Sequence, residues 1–358
     1  MTIQIDRRAL LITAGLGIGG LILPGGRVSA QTLLGLTGFT HNVASGEPGP
    51  DSMLLWTRYV PPTGGPAKVR VEVSVSPDFA RIVGGGQMIT GPWRGNTVKI
   101  TVDGLSPSRT HYYRFIAPDG TISPIGRTKT LPLGKVSKFN IAIFSCANLG
   151  FGEFNAYGHA AARQDIDLVL HLGDYFYEYG RGGYDSGAEF AKRIFPDDEI
   201  LTLADYRLRY ASYRVDPQLQ AIHANFPMIV NTDDHEGAND SWEGGAQNHQ
   251  ADEGDWTNRK NAAMQVWREW TFTSVLGLFS SSTFTSKNFW GGFSSLRRIR
   301  GFSKDPPLAF QLLDQACGGP IACRFRLMDL AAVSLDDFST NDVGGGASFH
   351  QYLGADGF

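Results

Sequence analysis

Alternation of apolar and polar positions divides the chain into two regions. Between about Phe39 and Leu131, short runs mix β-branched and aliphatic residues with polar ones, at Ser52–Arg58, Val69–Val73 and Thr97–Val102. Val69-Arg70-Val71-Glu72-Val73 alternates strictly, the pattern of a strand with one face in a core. Turn-forming clusters such as Pro61-Pro62-Thr63-Gly64-Gly65-Pro66 and Gly84-Gly85-Gly86 separate the runs. Leu105-Ser106-Pro107, leading into His111-Tyr112-Tyr113-Arg114-Phe115, predicts the corner of a fibronectin III/Ig-like sandwich, where a buried tyrosine pins a strand. The region 37–132 therefore reads as a small all-β domain. It contains no cluster of ligand-type side chains, which gives it a structural role, shaping the rim of a site that lies elsewhere.

The pattern changes after Pro132. The apolar run Phe139–Ser145 ends in Cys146-Ala147-Asn148, a helical stretch over Ala156–Arg163 follows, and Leu168–Leu172 ends in Gly173-Asp174. Ile222–Phe226 and Met228-Ile229-Val230 then lead into Asn231-Thr232-Asp233-Asp234-His235-Glu236. Strand, helix, strand, with polar residues at the carboxyl ends of the strands, is the arrangement by which α/β folds gather a site on one edge. A second, α/β domain over 138–358 follows from it. The spacing of Ala262, Ala263, Val266, Trp267 and Trp270 predicts an amphipathic helix over Trp256–Trp270.

Composition adds limits. A length of 358 residues suits two domains, and 42% hydrophobic against 19% charged residues is enough to bury a real core. A net charge of −3 argues against a nucleic-acid binder. It leaves a phosphate-ester substrate open, because a bound metal supplies positive charge that the side chains lack.

Residues 1–30 have the order of an export signal: Arg7-Arg8, a glycine-punctuated apolar run from Ala9 to Pro24, then Val28-Ser29-Ala30 ahead of Gln31. The paired arginines point to the twin-arginine route, with an ordinary Sec signal as the other reading. Either predicts a periplasmic or secreted protein. The apolar run is too short for a comfortable transmembrane span, and no other segment is long and apolar enough to form one. In an oxidising compartment Cys317 and Cys323 are placed to form a small disulfide loop. Cys146 then remains unpaired, and metal ligation is the natural use for it.

Cys146, Asp174, Tyr177, Asp234 and His235 fall at three separate strand ends. Singly, each has an ordinary explanation: a buried cysteine acting as a small hydrophobe, an aspartate starting a turn, a satisfied histidine. In series they read as a metal site. Thiolate with phenolate suits ferric iron better than magnesium, carboxylates hold a harder ion such as calcium, and an aspartate bridging two metals would present a shared hydroxide to phosphorus.

Three segments carry a specific resemblance. Phe144-Ser145-Cys146, Leu172-Gly173-Asp174-Tyr175-Phe176-Tyr177-Glu178 and Asp233-Asp234-His235-Glu236 through Asn239-Asp240-Ser241-Trp242 resemble the PhoD-type alkaline phosphatases. Glu253-Gly254-Asp255-Trp256 with Arg259-Lys260, and Ser45-Gly46-Glu47-Pro48 with Leu55-Trp56-Thr57-Arg58, are similar to further segments of that family. The resemblance runs from the signal to about Trp270. It implies a calcineurin-like metallophosphoesterase β-sandwich flanked by helices, holding Fe3+ and Ca2+ and hydrolysing phosphate mono- or diesters. By matching position, Cys146 and Tyr177 would bind iron, Asp174 would bridge iron to calcium, and Asp234 would bind the second metal. Asn239 is a further candidate ligand or phosphate contact, and His235 would stabilise the transition state or protonate the leaving group.

The family completes its site with a late Gly-Asp-x-His-type segment, which is not found here. Ser348-Phe349-His350 has no preceding Gly-Asp, and from about Phe293 the pattern fades. An altered or shortened tail leaves two other readings: an exported metal- or phosphate-binding relative without turnover, and a structural protein whose sandwich binds a partner. The natural ester and the oligomeric state are not specified by the residues.

Overall fold

The structure, a computed structural model, describes residues 29–272 and the strand Arg324–Leu327. The expected export signal, the Cys317–Cys323 loop and His350 lie outside the described residues. Among those described, no helix is long and apolar enough to cross a membrane.

After a short helix α1 (Ala30–Gly35), the front region forms β1 (Gly38–Gly46), β2 (Ser52–Val60), β3 (Ala67–Ser74), β4 (Ile82–Thr90), β5 (Thr97–Asp103), β6 (Thr110–Ile116) and β7 (Gly126–Lys129). β3 has the alternation that its sequence predicts: Val69, Val71 and Val73 are buried, whereas Lys68 and Arg70 face solvent. Strands β4-β3-β6-β7 form one antiparallel sheet. It packs its valines, with Tyr113 and Phe115, against Val43, Met53, Leu55, Val98, Ile100 and Val102 of β1, β2 and β5. At the corner before β6, Tyr113 is buried as expected, but the bond back to the chain is made by His111, whose Nδ1 lies 3.0 Å from the Arg109 carbonyl. The register of β6 turns both residues inward, and the imidazole is the one beside the bend.

The second region is built from β8 (Asn140–Phe144), α2 (Asn155–Ala161), β9 (Leu168–His171), α3 (Ala188–Ala191), α4 (Leu203–Arg214), α5 (Pro217–Asn225), β10 (Pro227–Val230), α6 (Trp256–Trp270) and β11 (Arg324–Leu327). Residues 222–225, adjoining the strand, are the last turn of α5, which Asp216 caps by accepting from Gln218 and Leu219. Pro217 opens that helix because its missing N–H costs nothing at the first position.

The front strands do not stop at the front region. A seven-stranded sheet runs β11-β8-β9-β10-β1-β2-β5. Its neighbours are parallel from β11 to β1, with β1 joining β10 at Ser45↔Pro227 and Gly46↔Met228. The β-sandwich and the α/β layer therefore share a sheet. Gly46 is required at that seam, since a Cβ would lie 2.6 Å from the Met228 carbonyl and 2.3 Å from Phe272 Cβ.

β8 is apolar on both faces because both are covered. Ala142 and Phe144 join the core under the helices, while Ile141 and Ile143 pack with Leu131, Phe139, Leu168 and Leu170 on the other side. The helix-side core also takes in Ala44, Leu54 and Trp56 from the front strands. Trp56 Nε1 donates to the Glu269 carbonyl at the end of α6 (2.9 Å), and the Arg214 guanidinium lies 4.1 Å over its ring. These contacts lock α4 and α6 to the sheet and hold the β8, β9 and β10 carboxyl ends in a fixed row.

Candidate metal centre

Past the strand ends the backbone continues to pair. Leu172 N–H donates to the Phe144 carbonyl (2.8 Å), Asn231 N–H to the His171 carbonyl (2.8 Å), and Cys146 N–H to the Gly173 carbonyl (3.2 Å). Cys146 (φ 56°) and Asp174 (φ 52°) both adopt the left-handed conformation, which side chains other than glycine occupy only when the surroundings impose it. Ala147 N–H donates to the Asp174 carbonyl (2.8 Å), tying the two turns together. Gly173 has φ 125°, and a Cβ there would lie 2.4 Å from the Asp233 nitrogen. Three loops thus meet at one glycine.

The side chains they carry converge. Ligand atoms of Asp174, Asp234 and His235 lie within 4.8 Å of one another. Tyr177 Oη donates to Asp174 Oδ2 (3.2 Å), and the Tyr177 ring lies 4.2 Å from the imidazole of His235. Asp174 Oδ1 is buried with no hydrogen-bond partner. Burial, with the charges of Asp233 and Asp234, pushes Asp174 up to about 6 despite His235 nearby. Cys146 is exposed by surface area, yet crowding at the turn and the Asp174 charge push its thiol up to about 12. Burial, Asp174 and Cys146 hold the Tyr177 phenol well above its ordinary value. An orphaned carboxylate oxygen, a thiol and a phenol, each raised by desolvation and by neighbouring negative charge, stand beside a second carboxylate, and a cation would satisfy them together. The donor set fits a metal.

Asn239 joins differently. Its side-chain nitrogen donates to Gln247 (2.8 Å), while its backbone N–H donates to Glu178 Oε1 (2.7 Å).

Two acids without an assigned role in the sequence reading organise the centre. Glu178 is fully buried; its Oε2 lies 2.7 Å from His235 Nδ1, and Oε1 also accepts from Asn248 Nδ2 (2.8 Å). Burial alone would lower His235, but the Glu178 hydrogen bond and charge, with Asp174 and Asp234, outweigh it and push the imidazole up to about 9. Glu236, equally buried, accepts from Tyr175 N–H (2.6 Å) and Asp233 N–H (2.8 Å), clipping the Asp174 loop to the Asp234 loop. Burial and the Asp174 charge push it up to about 8. The signal for both was their place inside the quoted motifs, directly after Tyr177 and His235. Arg209, also fully buried, donates to the carbonyls of Tyr177, Phe195 (3.1 Å), Pro196 (3.3 Å) and Asp198 (3.3 Å), fixing the backbone behind the phenol.

Comparison with known proteins places this geometry. Residues 141–274 match the model of the PhoD-like phosphatases, and residues 27–132 match that of the PhoD-like phosphatase N-terminal domain. Alkaline phosphatase D of Bacillus subtilis (strain 168) is 43% identical over 207 residues, which cover 55% of this chain and 35% of that protein. The solved structure of PhoD superposes with a TM-score of 0.62 at 35% identity, over 69% of this chain and 48% of its own. The chain thus spans about a third of the curated relative and about half of the solved one. Through both its sandwich and its α/β layer, it belongs to the PhoD-like phosphatase family.

Proposed function

We propose that the chain is an exported phosphatase that hydrolyses phosphate esters at a centre of ferric iron and calcium. The observation that carries the reading is Asp174: a buried carboxylate with one oxygen orphaned, placed where Tyr177, Asp234 and His235 meet, with Cys146 beside it. The relative named alkaline phosphatase D supports the activity.

Cys146 and Tyr177 would hold the iron, a pairing that suits a ferric ion. Asp174 would serve both ions and Asp234 the calcium, with Asn239 a further contact on that side. When bound, the ions supply the positive charge that offsets the phosphoryl oxygens, and they activate water for attack on phosphorus. The chain's own part is proton transfer and alignment. With Nδ1 engaged by Glu178, whose buried charge favours the protonated imidazole, His235 offers Nε2 to the site as a proton donor. As water adds to phosphorus and the ester P–O bond breaks, that proton passes to the departing alcohol oxygen.

The test is metal content together with turnover in the purified full chain. Iron in stoichiometric amount, a charge-transfer colour that Tyr177→Phe bleaches or shifts, and chelator-sensitive hydrolysis of an aryl phosphate are expected. Iron without turnover would leave a metal-binding relative; colourless, iron-free and inactive protein would leave a structural one. Export is checked separately, by a mature chain beginning at or near Gln31 and by retention in the cytoplasm of the Arg7→Lys, Arg8→Lys variant.

A further inference from the structure

An aromatic wall runs outward from His235. Tyr177 lies 4.2 Å from the imidazole, and Tyr184 lies 5.5 Å from Tyr177, 5.6 Å from Tyr179 and 4.9 Å from Phe151. Tyr177 is 7% exposed and Tyr184 is 48% exposed. The wall therefore starts inside the site and ends in a half-free tyrosine.

That last ring is held in place. Asp185 accepts from the Gly182 and Gly187 N–H groups (2.6 and 3.0 Å), and Asn148 Nδ2 donates to the Tyr184 carbonyl (3.0 Å). Ser186 Oγ donates to the Phe151 carbonyl (2.9 Å), and Arg181 pairs with Asp197 (2.8 Å). A single exposed tyrosine is ordinary. Four rings in continuous contact with the histidine of a site, beside a loop pinned to the Cys146 turn, form a pre-organised face that loses little freedom when a ligand docks.

A ligand's first phosphate is the business of the metals. What extends from it along this wall meets ring faces, which favour an aromatic group.

We infer that Tyr184, backed by Tyr179 and Phe151, determines specificity by stacking a planar aromatic ring in the alcohol part of a phosphate ester. The inference rests on the phosphatase reading above. One aromatic stack is worth roughly 2- to 12-fold in affinity.

Two paired measurements on the metal-loaded full chain test it. Benzyl phosphate is compared with ethyl phosphate in kcat/KM, their alcohols being similarly poor leaving groups; benzylphosphonate is compared with ethylphosphonate in calorimetric binding. The benzyl member should be favoured in both. Tyr184→Ala should cut that preference roughly 2- to 12-fold, and Tyr184→Phe should keep it, since the ring face and not the hydroxyl stacks. A preference absent from the starting protein, or unchanged in Tyr184→Ala, overturns the inference. Failure to hydrolyse either ester counts against the phosphatase reading alone, because the phosphonate preference still decides the role of Tyr184.

Discussion

His235 Nδ1 lies 2.7 Å from Glu178 Oε2, and the other oxygen of that buried carboxylate is occupied by the Asn239 N–H and the Asn248 amide. The acid is thus fixed from one side and fixes the imidazole on the other. His235→Ala should lower turnover about 100-fold or more, the usual range for a general acid. Glu178→Gln places an amide N–H2 where acceptors are needed and should cost about 10- to 100-fold. If Glu178 works through His235, adding Glu178→Gln to His235→Ala should change little further. Turnover and iron content of the four proteins settle this. Loss of metal in His235→Ala would instead make the histidine a ligand, as its place beside Asp174 and Asp234 also allows.

Three groups at the centre bind protons more tightly in the folded, metal-free protein than in the unfolded chain. Asp174 is pushed up to about 6 and Glu236 to about 8, burial being the largest cause in each; His235 reaches about 9 through Glu178, against the opposing effect of burial. For each, the folded state holds the extra proton between the ordinary and the raised value, so stability falls as pH rises through that interval. The loss starts above about pH 4 for the acids and about pH 6.5 for the histidine. The centre's own contribution to the stability of the metal-free protein should therefore fall from about pH 5 to about pH 9, against the opposite trend of buried His41, His171, His223 and Lys99, which desolvation pushes down. Metal binding releases the same protons, so stabilisation by added metal should grow over that range. The difference between melting with metal and with chelator isolates the centre, and a stabilisation by metal that fails to grow over this range would contradict the account.

The ligand-bearing positions were legible because parallel strands are apolar along their length and polar where they end. Cys146, Asp174 and Asp234 each follow such a run. Helix α4 was not, because its buried face is made of Tyr206, Arg209, Tyr210, Tyr213 and Arg214, which read as polar. Its stability comes from rings and from arginines bonded to carbonyls, and no apolar period shows it. The shared sheet was hidden for another reason: pairing of β1 with β10 joins segments far apart in sequence and leaves no local pattern. Glu178 and Glu236 stand in the same motifs as the ligands, but their roles depend on backbone N–H groups delivered by a different loop.

Glu236 offers both oxygens to backbone donors, Tyr175 N–H at 2.6 Å and Asp233 N–H at 2.8 Å. Glutamine can accept only one of these and turns a donor toward the other. Glu236→Gln should destabilise the fold by about 1–3 kcal/mol, the cost of one buried donor left unsatisfied. Because the clip joins the Asp174 and Asp234 loops, metal affinity should fall along with stability. Denaturant unfolding of the metal-free protein and metal titration of the folded one report the two effects separately.

Gly173 tests whether the three loops must touch for metal to bind. An alanine there would be strained at φ 125°, and its Cβ would lie 2.4 Å from the Asp233 nitrogen, 2.6 Å from Asp233 Cβ and 2.9 Å from the Thr232 carbonyl carbon. Backbone atoms cannot swing aside as a side-chain tip would, so the Asp234 loop must retreat from the Asp174 turn. Gly104 is the control: it has φ 77°, and nothing lies within 4 Å of where its Cβ would be. Both substitutions should cost about 1–3 kcal/mol through left-handed strain, but only Gly173→Ala should separate the carboxylates and lose metal. Unfolding midpoints and bound iron, measured on both variants at matched fraction folded, distinguish strain from displacement. Full metal content in Gly173→Ala would mean that the ligands reach their ion without the close contact of the loops, and that the glycine serves the turn alone.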